Sequence, residues 1–323
     1  MSETTFTTIV HGYIEEKRAV GNKFKKAEQT LNRIISLQHE IDNGKPILSK
    51  ELLKTWAQKT SWETDTNRSG RISVLRGLSA YMIRQGFQAV VIPKKYAAYA
   101  EYNYIPYIFT DKQLGNLLHA IDQYSEECTW IYHRLEFPLV FRLLIGSGLR
   151  ITETLAIQKN DYESSERSIY LKKTKNQKER IIPIAESLAQ RIENYIEEAD
   201  KLPNFVSSEL LFPNPDGMQY SSGRFYYFFR KFLWQAGIPH SGRGYGPRLH
   251  DLRHTYAVRV INKWVLNGKN LTTCLPYLAI YMGHSGLKAS EHYLRLTTQM
   301  FPELLSKVNH YYSWVIPEVE HEA

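Results

Sequence analysis

The sequence predicts a mostly α-helical protein with a small β-sheet, split into an N-terminal helical domain and a C-terminal mixed α/β domain. Three observations carry this reading. Apolar residues recur at helical spacing through most of the first hundred residues and again after Thr110. One stretch, Ile169 to Ile184, switches to strand-like patterning around a lysine-rich turn. The 323 residues also exceed the ~250–300 at which a single core usually stops growing.

Four helices are expected in residues 5–100. Phe6, Ile9, Val10, Tyr13 and Ile14 mark the first, with Gly21 to stop it. Phe24, Ala27, Leu31, Ile34, Ile35 and Ile41 mark the second, ended by Asn43-Gly44. Leu52, Leu53 and Trp56 mark the third, with Ser49 as N-cap. Ile72, Leu75, Leu78 and Met82 mark the fourth, stopped by Gly86. Residues 88–108, with Pro93 and a tyrosine-rich run to Tyr107, read as a linker. The boundary falls near residue 106, giving domains 1–105 and 106–323.

Thr110 is the expected N-cap of the next helix. The apolar segment 137–149 ends at Gly146-Ser147-Gly148, a turn that presents Arg150 at a helix start, where unpaired N–H groups favour a phosphate. Ile169, Leu171 and Ile181, Ile182, Ile184 form a hairpin about Lys173–Lys178. Residues 186–197 and 224–236 return to helix. Tyr226, Tyr227, Phe228 and Phe229 in the latter are read as core.

Composition narrows the class. Lys+Arg total 41 against Asp+Glu 33, a net charge of +8. A solvated basic surface and a polyanionic partner explain that excess equally well. Two cysteines, Cys128 and Cys274, argue no disulfide framework and fit a reducing compartment. No apolar run reaches the ~18 residues of a membrane helix and no leader pattern opens the chain, so a cytoplasmic protein is expected.

Three motifs carry chemistry: Gly148-Leu149-Arg150-Ile151-Thr152-Glu153, His250-Asp251-Leu252-Arg253-His254, and Gly283-His284 with Tyr293 nine residues on. Guanidiniums clamp phosphate oxygens, imidazoles handle protons, and a tyrosine oxygen can attack phosphorus. Each piece has an ordinary explanation. Arg150 can pair with Glu153 one turn away, and Arg253 can be a surface arginine. The ordered set in a basic chain points to a phosphodiester.

On these motifs the chain resembles the tyrosine recombinases of the phage-integrase type. The resemblance spans the C-terminal two thirds. It implies a helical core-binding domain before a mixed α/β catalytic domain, closing on DNA as a clamp. It implies catalytic roles for Arg150, Lys175, His250, Arg253, His284 and Tyr293, the last as nucleophile, with no cofactor and no metal. Lys175 matches the family's hairpin lysine, which protonates the leaving 5′ oxygen; Lys172, Lys173 and Lys178 crowd the same turn. His250 is assigned to proton handling and phosphate contact, and His254, with no direct catalytic role, is read as a packed or hydrogen-bonded histidine. The implied partners are double-stranded DNA and a homotetramer on two DNA sites, with accessory DNA-bending or directionality proteins as a further class and no membrane. Arg68, Arg71, Arg76 and Arg84 then become candidate DNA contacts as a group. The implied reaction is site-specific recombination through a 3′-phosphotyrosine, as in integration or excision of a mobile element or a related rearrangement. The glycine-rich approach Pro239–Gly246 and the long span Trp264–Tyr281 depart from the family's pattern.

Other functions stay open at this stage. A type IB topoisomerase shares the tyrosine chemistry but usually carries a lysine where His250 stands. A metal-dependent phosphohydrolase would use His250 and His254, four apart on one helix face. A non-catalytic DNA-binding protein would not require Tyr293 with the full cationic set.

Overall fold

The computed structural model describes residues 4–21, 24–97, 105–172, 179–240, 246–284 and Tyr293. It divides into two compact units, Met1–Tyr104 and Ile105–Ala323.

The first unit holds helices α1 (Phe6–Ala19), α2 (Lys25–Asp42), α3 (Lys50–Ala57) and α4 (Asp65–Arg84). The side chains of Thr5, Ser49 and Thr64 cap α1, α3 and α4 by accepting from backbone N–H groups in the first turn. Asn43 (φ 51°) and Gly44 (φ 72°) end α2 in the left-handed region. Phe6, Leu31, Ile34, Leu52, Ile72, Leu75 and Leu78 are fully buried on the predicted faces.

Two strands of two residues each, β1 (Ile47–Leu48) and β2 (Gln88–Ala89), pair in parallel. They correct the linker reading. Ile92 is buried in this unit, and Arg76 donates to the carbonyls of Ile92, Pro93 and Lys94. Residues 88–97 therefore belong to the first unit. The other arginines also find partners there. Arg68 donates to the Ala57 carbonyl, Arg71 pairs with Glu63 at 2.7 Å over the Trp56 ring, and Arg84 pairs with Glu16 at 2.5 Å.

In the second unit α5 (Asp111–Glu127) starts at Thr110, which forms a capping box with Gln113. Helix α6 (Ile131–Ser147) is buried along much of its length and packs on α5, on α8 (Glu186–Asp200) and on α10 (Asp251–Leu266). Its Phe137 and Phe141 meet Phe225 and Phe232 of α9 (Ser222–Gln235), with ring centroids 5.0–6.3 Å apart. Each such ring contributes about 1.5–3 kcal/mol by burial. Tyr226 and Tyr227 of α9 are exposed (42% and 68%), which corrects their assignment to the core. Phe225, Phe229 and Phe232 already fill the buried side of that helix, and the two tyrosines fall on the other side.

Strands β3 (Tyr162–Glu163), β4 (Ser168–Leu171) and β5 (Arg180–Pro183) form one antiparallel sheet, with Ile169 opposite Ile182 and Leu171 opposite Arg180. Residues 173–178, including Lys175, lie outside the described residues, as does the chain after His284 apart from Tyr293. Helix α7 (Ile151–Thr154) follows α6, and α11 (Leu271–Met282) follows α10.

One buried bond ties the start of this unit to α10. The Phe109 N–H donates to Thr255 Oγ1 at 3.0 Å, and that hydroxyl donates to the Asp251 carbonyl at 2.8 Å. Thr255→Val keeps the shape and leaves the buried N–H without its acceptor. Urea unfolding of the full chain should show a loss of about 1–3 kcal/mol, with Thr255→Ser close to wild type. An unchanged Thr255→Val would contradict this role.

Candidate active site

The first arginine is placed by the end of α6. That helix stops because Gly148 turns left-handed at φ 62°, and a Cβ there would lie 2.5 Å from Cδ1 of Tyr256. Leu149 is then buried, and Arg150 stands just before α7. Arg150 Nη1 bonds Glu153 Oε1 at 2.6 Å, so the expected pair forms. One N–H of this helix start is already taken, because the Arg150 backbone N–H donates to Glu153 Oε2 at 3.1 Å. With only four residues in α7, the carboxylate at its third position folds back over the first turn.

The second arginine comes from α10. His250 stands at its start, and Arg253 lies one turn in, 2% exposed. Arg253 Nη1 donates to the Gly148 carbonyl at 2.7 Å, and its Nη2 donates to the Met282 carbonyl. Burial foremost, and the neighbouring Arg150, lower its pKa to about 10, which leaves it charged at neutral pH. The surface reading of this arginine therefore fails.

The third motif follows α11. Gly283 (φ 63°) ends that helix, and the His284 N–H returns to the Ala279 carbonyl at 2.9 Å. Arg150 Nη2 reaches the Gly283 carbonyl at 3.4 Å. Tyr293 is 3% exposed and packs among Ala257, Val258, Ile261, Leu271, Leu278 and Met282. Its ring stacks on His284 with centroids 5.8 Å apart and lies 5.5 Å from the ring of His254. His254 in turn meets His250 edge-on at 4.9 Å. Burial raises the Tyr293 pKa, opposed by Arg253 and Arg150. The phenol is therefore neutral at rest beside two cations.

Arg150, His250, Arg253, His284 and Tyr293, drawn from three distant motifs, thus come together. Lys175 lies outside the described residues. The base of its hairpin is held by Lys172, whose Nζ pairs with the buried Asp161 at 2.5 Å. Among the described residues no three His, Cys, Asp or Glu side chains gather as a metal-binding group.

Sequence reasoning missed Arg180. It is buried at the start of β5, pairs with Glu153 at 2.8 Å, and donates to the Tyr281 carbonyl at 2.8 Å. Strand alternation carried a signal. Ile181 is 64% exposed and Ile182 is buried, so Arg180 points inward with Ile182. A charged residue on the inner face of a strand requires a buried partner.

His284 gives the site a pH signature. Burial first, then Arg253, Arg150 and Arg180, depress its pKa to about 4, so the folded imidazole is neutral. An unfolded histidine titrates near ~6.5. The unfolded state therefore binds the extra proton between these values, and stability falls as pH drops through that window. His284→Gln removes this contribution. At pH 5, relative to pH 7, wild type should lose on the order of 1 kcal/mol more than His284→Gln. Equal losses in parallel melts would contradict the half-buried, cation-flanked imidazole.

Comparison with known proteins identifies the family of the chain. The family model described as "Phage integrase family" matches residues 108–300. A Sinorhizobium fredii protein named "Putative integrase/recombinase y4rB" is 24% identical, over 94% of this chain and 97% of that one. The tyrosine recombinase XerD of Vibrio cholerae is 24% identical over 78% of this chain and 77% of its own. Among solved structures, the Tn1549 transposon integrase superposes with a TM-score of 0.62 at 19% identity, covering 90% of this chain and 95% of that one. The chain belongs to the phage integrase family and is a tyrosine-type site-specific DNA recombinase.

Proposed function

We propose that Tyr293 is the nucleophile and that Arg150, Arg253, His250, His284 and Lys175 complete the catalytic set. The observation that carries this is the buried Tyr293 ring, stacked on His284 and flanked by Arg253, whose guanidinium also holds the Gly148 and Met282 turns. Two guanidiniums beside its oxygen are what a tyrosine needs to attack a phosphate they hold.

In this reading the scissile phosphate sits against Arg150 and Arg253, which stabilise charge on its non-bridging oxygens in the transition state. The Tyr293 oxygen bonds to phosphorus, and the bond from phosphorus to the 5′ oxygen breaks. The phenolic proton leaves through His250, and Lys175 supplies a proton to the departing 5′ oxygen. His284, kept neutral by its surroundings, offers an N–H donor to the phosphate and adds no third like charge. The 3′-phosphotyrosine retains the energy of the broken bond, and the 5′-hydroxyl of a partner strand attacks it. Two such rounds exchange both strands, and a tetramer on two duplex sites supplies four tyrosines. The outcome is integration, excision or a related rearrangement of a DNA element.

The first unit contributes affinity in this reading, through phosphate contacts across its basic surface. Arg68, Arg71, Arg76 and Arg84 already hold carbonyls or carboxylates of their own unit. Any phosphate they meet shares a guanidinium with those groups.

Tyr293→Phe tests the core of the proposal. The variant should bind its DNA site within about threefold of wild type, since one hydroxyl is removed from a large interface. It should form no covalent protein–DNA adduct on a nicked suicide substrate. An adduct that persists in Tyr293→Phe would overturn the assignment.

A further inference from the structure

Glu153 poses an electrostatic problem for the site. It is 7% exposed and lies 2.6 Å from Arg150, so alone it would cancel the charge that Arg150 brings to a phosphate. A second buried guanidinium answers it. Arg180 Nη2 bonds Glu153 Oε2 at 2.8 Å, and Arg180 Nη1 lies 3.4 Å from Glu153 Oε1, the same oxygen that Arg150 holds. Two guanidiniums on one carboxylate leave one net positive charge in the cluster. Burial works against an ionised Glu153, and Arg180 is the main influence that keeps its pKa below the ordinary value, ahead of Arg150.

Arg180 also braces the third motif. Its Nε donates to the Tyr281 carbonyl at 2.8 Å. A Cβ built on Gly283 would lie 2.8 Å from Arg180 Nη1 and 3.0 Å from its Cζ. Glycine at 283 therefore answers two demands, the left-handed turn at φ 63° and the guanidinium laid flat against it. The same turn offers the Gly283 carbonyl to Arg150 and the Met282 carbonyl to Arg253.

We propose that Arg180 is a positioning residue of the recombination reaction: it takes up the Glu153 charge so that Arg150 keeps its own for the scissile phosphate, and it fixes the Tyr281–Gly283 turn that carries His284. This rests on the reading above that Arg150 meets the phosphate. Arg180 is buried behind the site and acts through Glu153.

The test is a rescue in the full-length protein, read by single-turnover formation of the covalent adduct. Arg180→Met should slow adduct formation about 100-fold, the scale of a lost charge-stabilising donor, with DNA binding within about threefold. Adding Glu153→Gln removes the carboxylate that now cancels Arg150, and R180M/E153Q should recover at least about tenfold over R180M. A brace with no charge role predicts the opposite, because a second lesion then adds to the first. R180M/E153Q no faster than R180M, or R180M at the wild-type rate, would overturn the proposal. If R180M does not melt as a folded protein, R180K carries the test, since it keeps the charge and loses the planar fork. R180K is expected within about tenfold of wild type, and a loss of about 100-fold would overturn the charge argument. Tyr293→Phe is run alongside. An adduct formed by that variant locates the failure in the assignment of the nucleophile, and the R180M and R180M/E153Q rates then decide Arg180 separately.

Discussion

The site depends on one buried cation. Arg253 lies on α10 and donates to the Gly148 carbonyl, where α6 ends, and to the Met282 carbonyl, where α11 ends. Both acceptors sit where a helix terminates, so both are carbonyls with no further turn of helix to use them. Removing a guanidinium from water costs several kcal/mol unless its donors are met. These two carbonyls meet part of that demand and leave the guanidinium beside Tyr293. The two turns then deliver Arg150 and His284 to the same place. Glycine is required at both, Gly148 because the ring of Tyr256 presses on it and Gly283 because Arg180 does.

The electrostatics follow from crowding cations around one carboxylate. Arg150, Arg180 and Arg253 carry three positive charges near the single negative charge of Glu153, a surplus that an incoming phosphate relieves. Burial first, and then the same surplus, keep the His284 imidazole neutral, and the surplus pulls against the burial that raises the Tyr293 pKa. A buried phenol with cations at its side is stable as the neutral acid. It becomes a better nucleophile once the phosphate and a proton acceptor arrive. The resting structure and the proposed reaction thus call on the same charges.

Much of this was legible in the sequence because it is periodic. The helices of the first unit show their buried faces at three- and four-residue spacing, and Ser49 and Thr110, the two caps expected, stand at the starts of α3 and α5. The motif arginines, histidines and tyrosine were legible as an ordered set. Other features left no such pattern. Strands of two residues, Ile47–Leu48 and Gln88–Ala89, have no period to detect, and the Pro93-Lys94-Lys95 run hid the burial of Ile92 behind linker-like composition. Tyr226 and Tyr227 looked like core because the helix around them is aromatic throughout. Only its angular arrangement separates them from Phe225 and Phe229. Arg180 was passed over among the lysines of the hairpin, although the inward phase it shares with Ile182 marks it.

The claim that Arg253 joins two turns 134 residues apart in sequence, at Gly148 and Met282, is open to direct measurement by amide hydrogen exchange. The N–H groups of Gly148, Gly283 and His284 are each bonded within the turn that ends a helix. In Arg253→Lys the ammonium cannot span both carbonyls, so exchange at Gly148 and at Gly283–His284 should accelerate together, by a comparable factor, while the N–H of Gln113 at the capped start of α5 stays as in wild type. Acceleration at one turn alone, or at neither, would contradict the view that this single guanidinium holds the site in register.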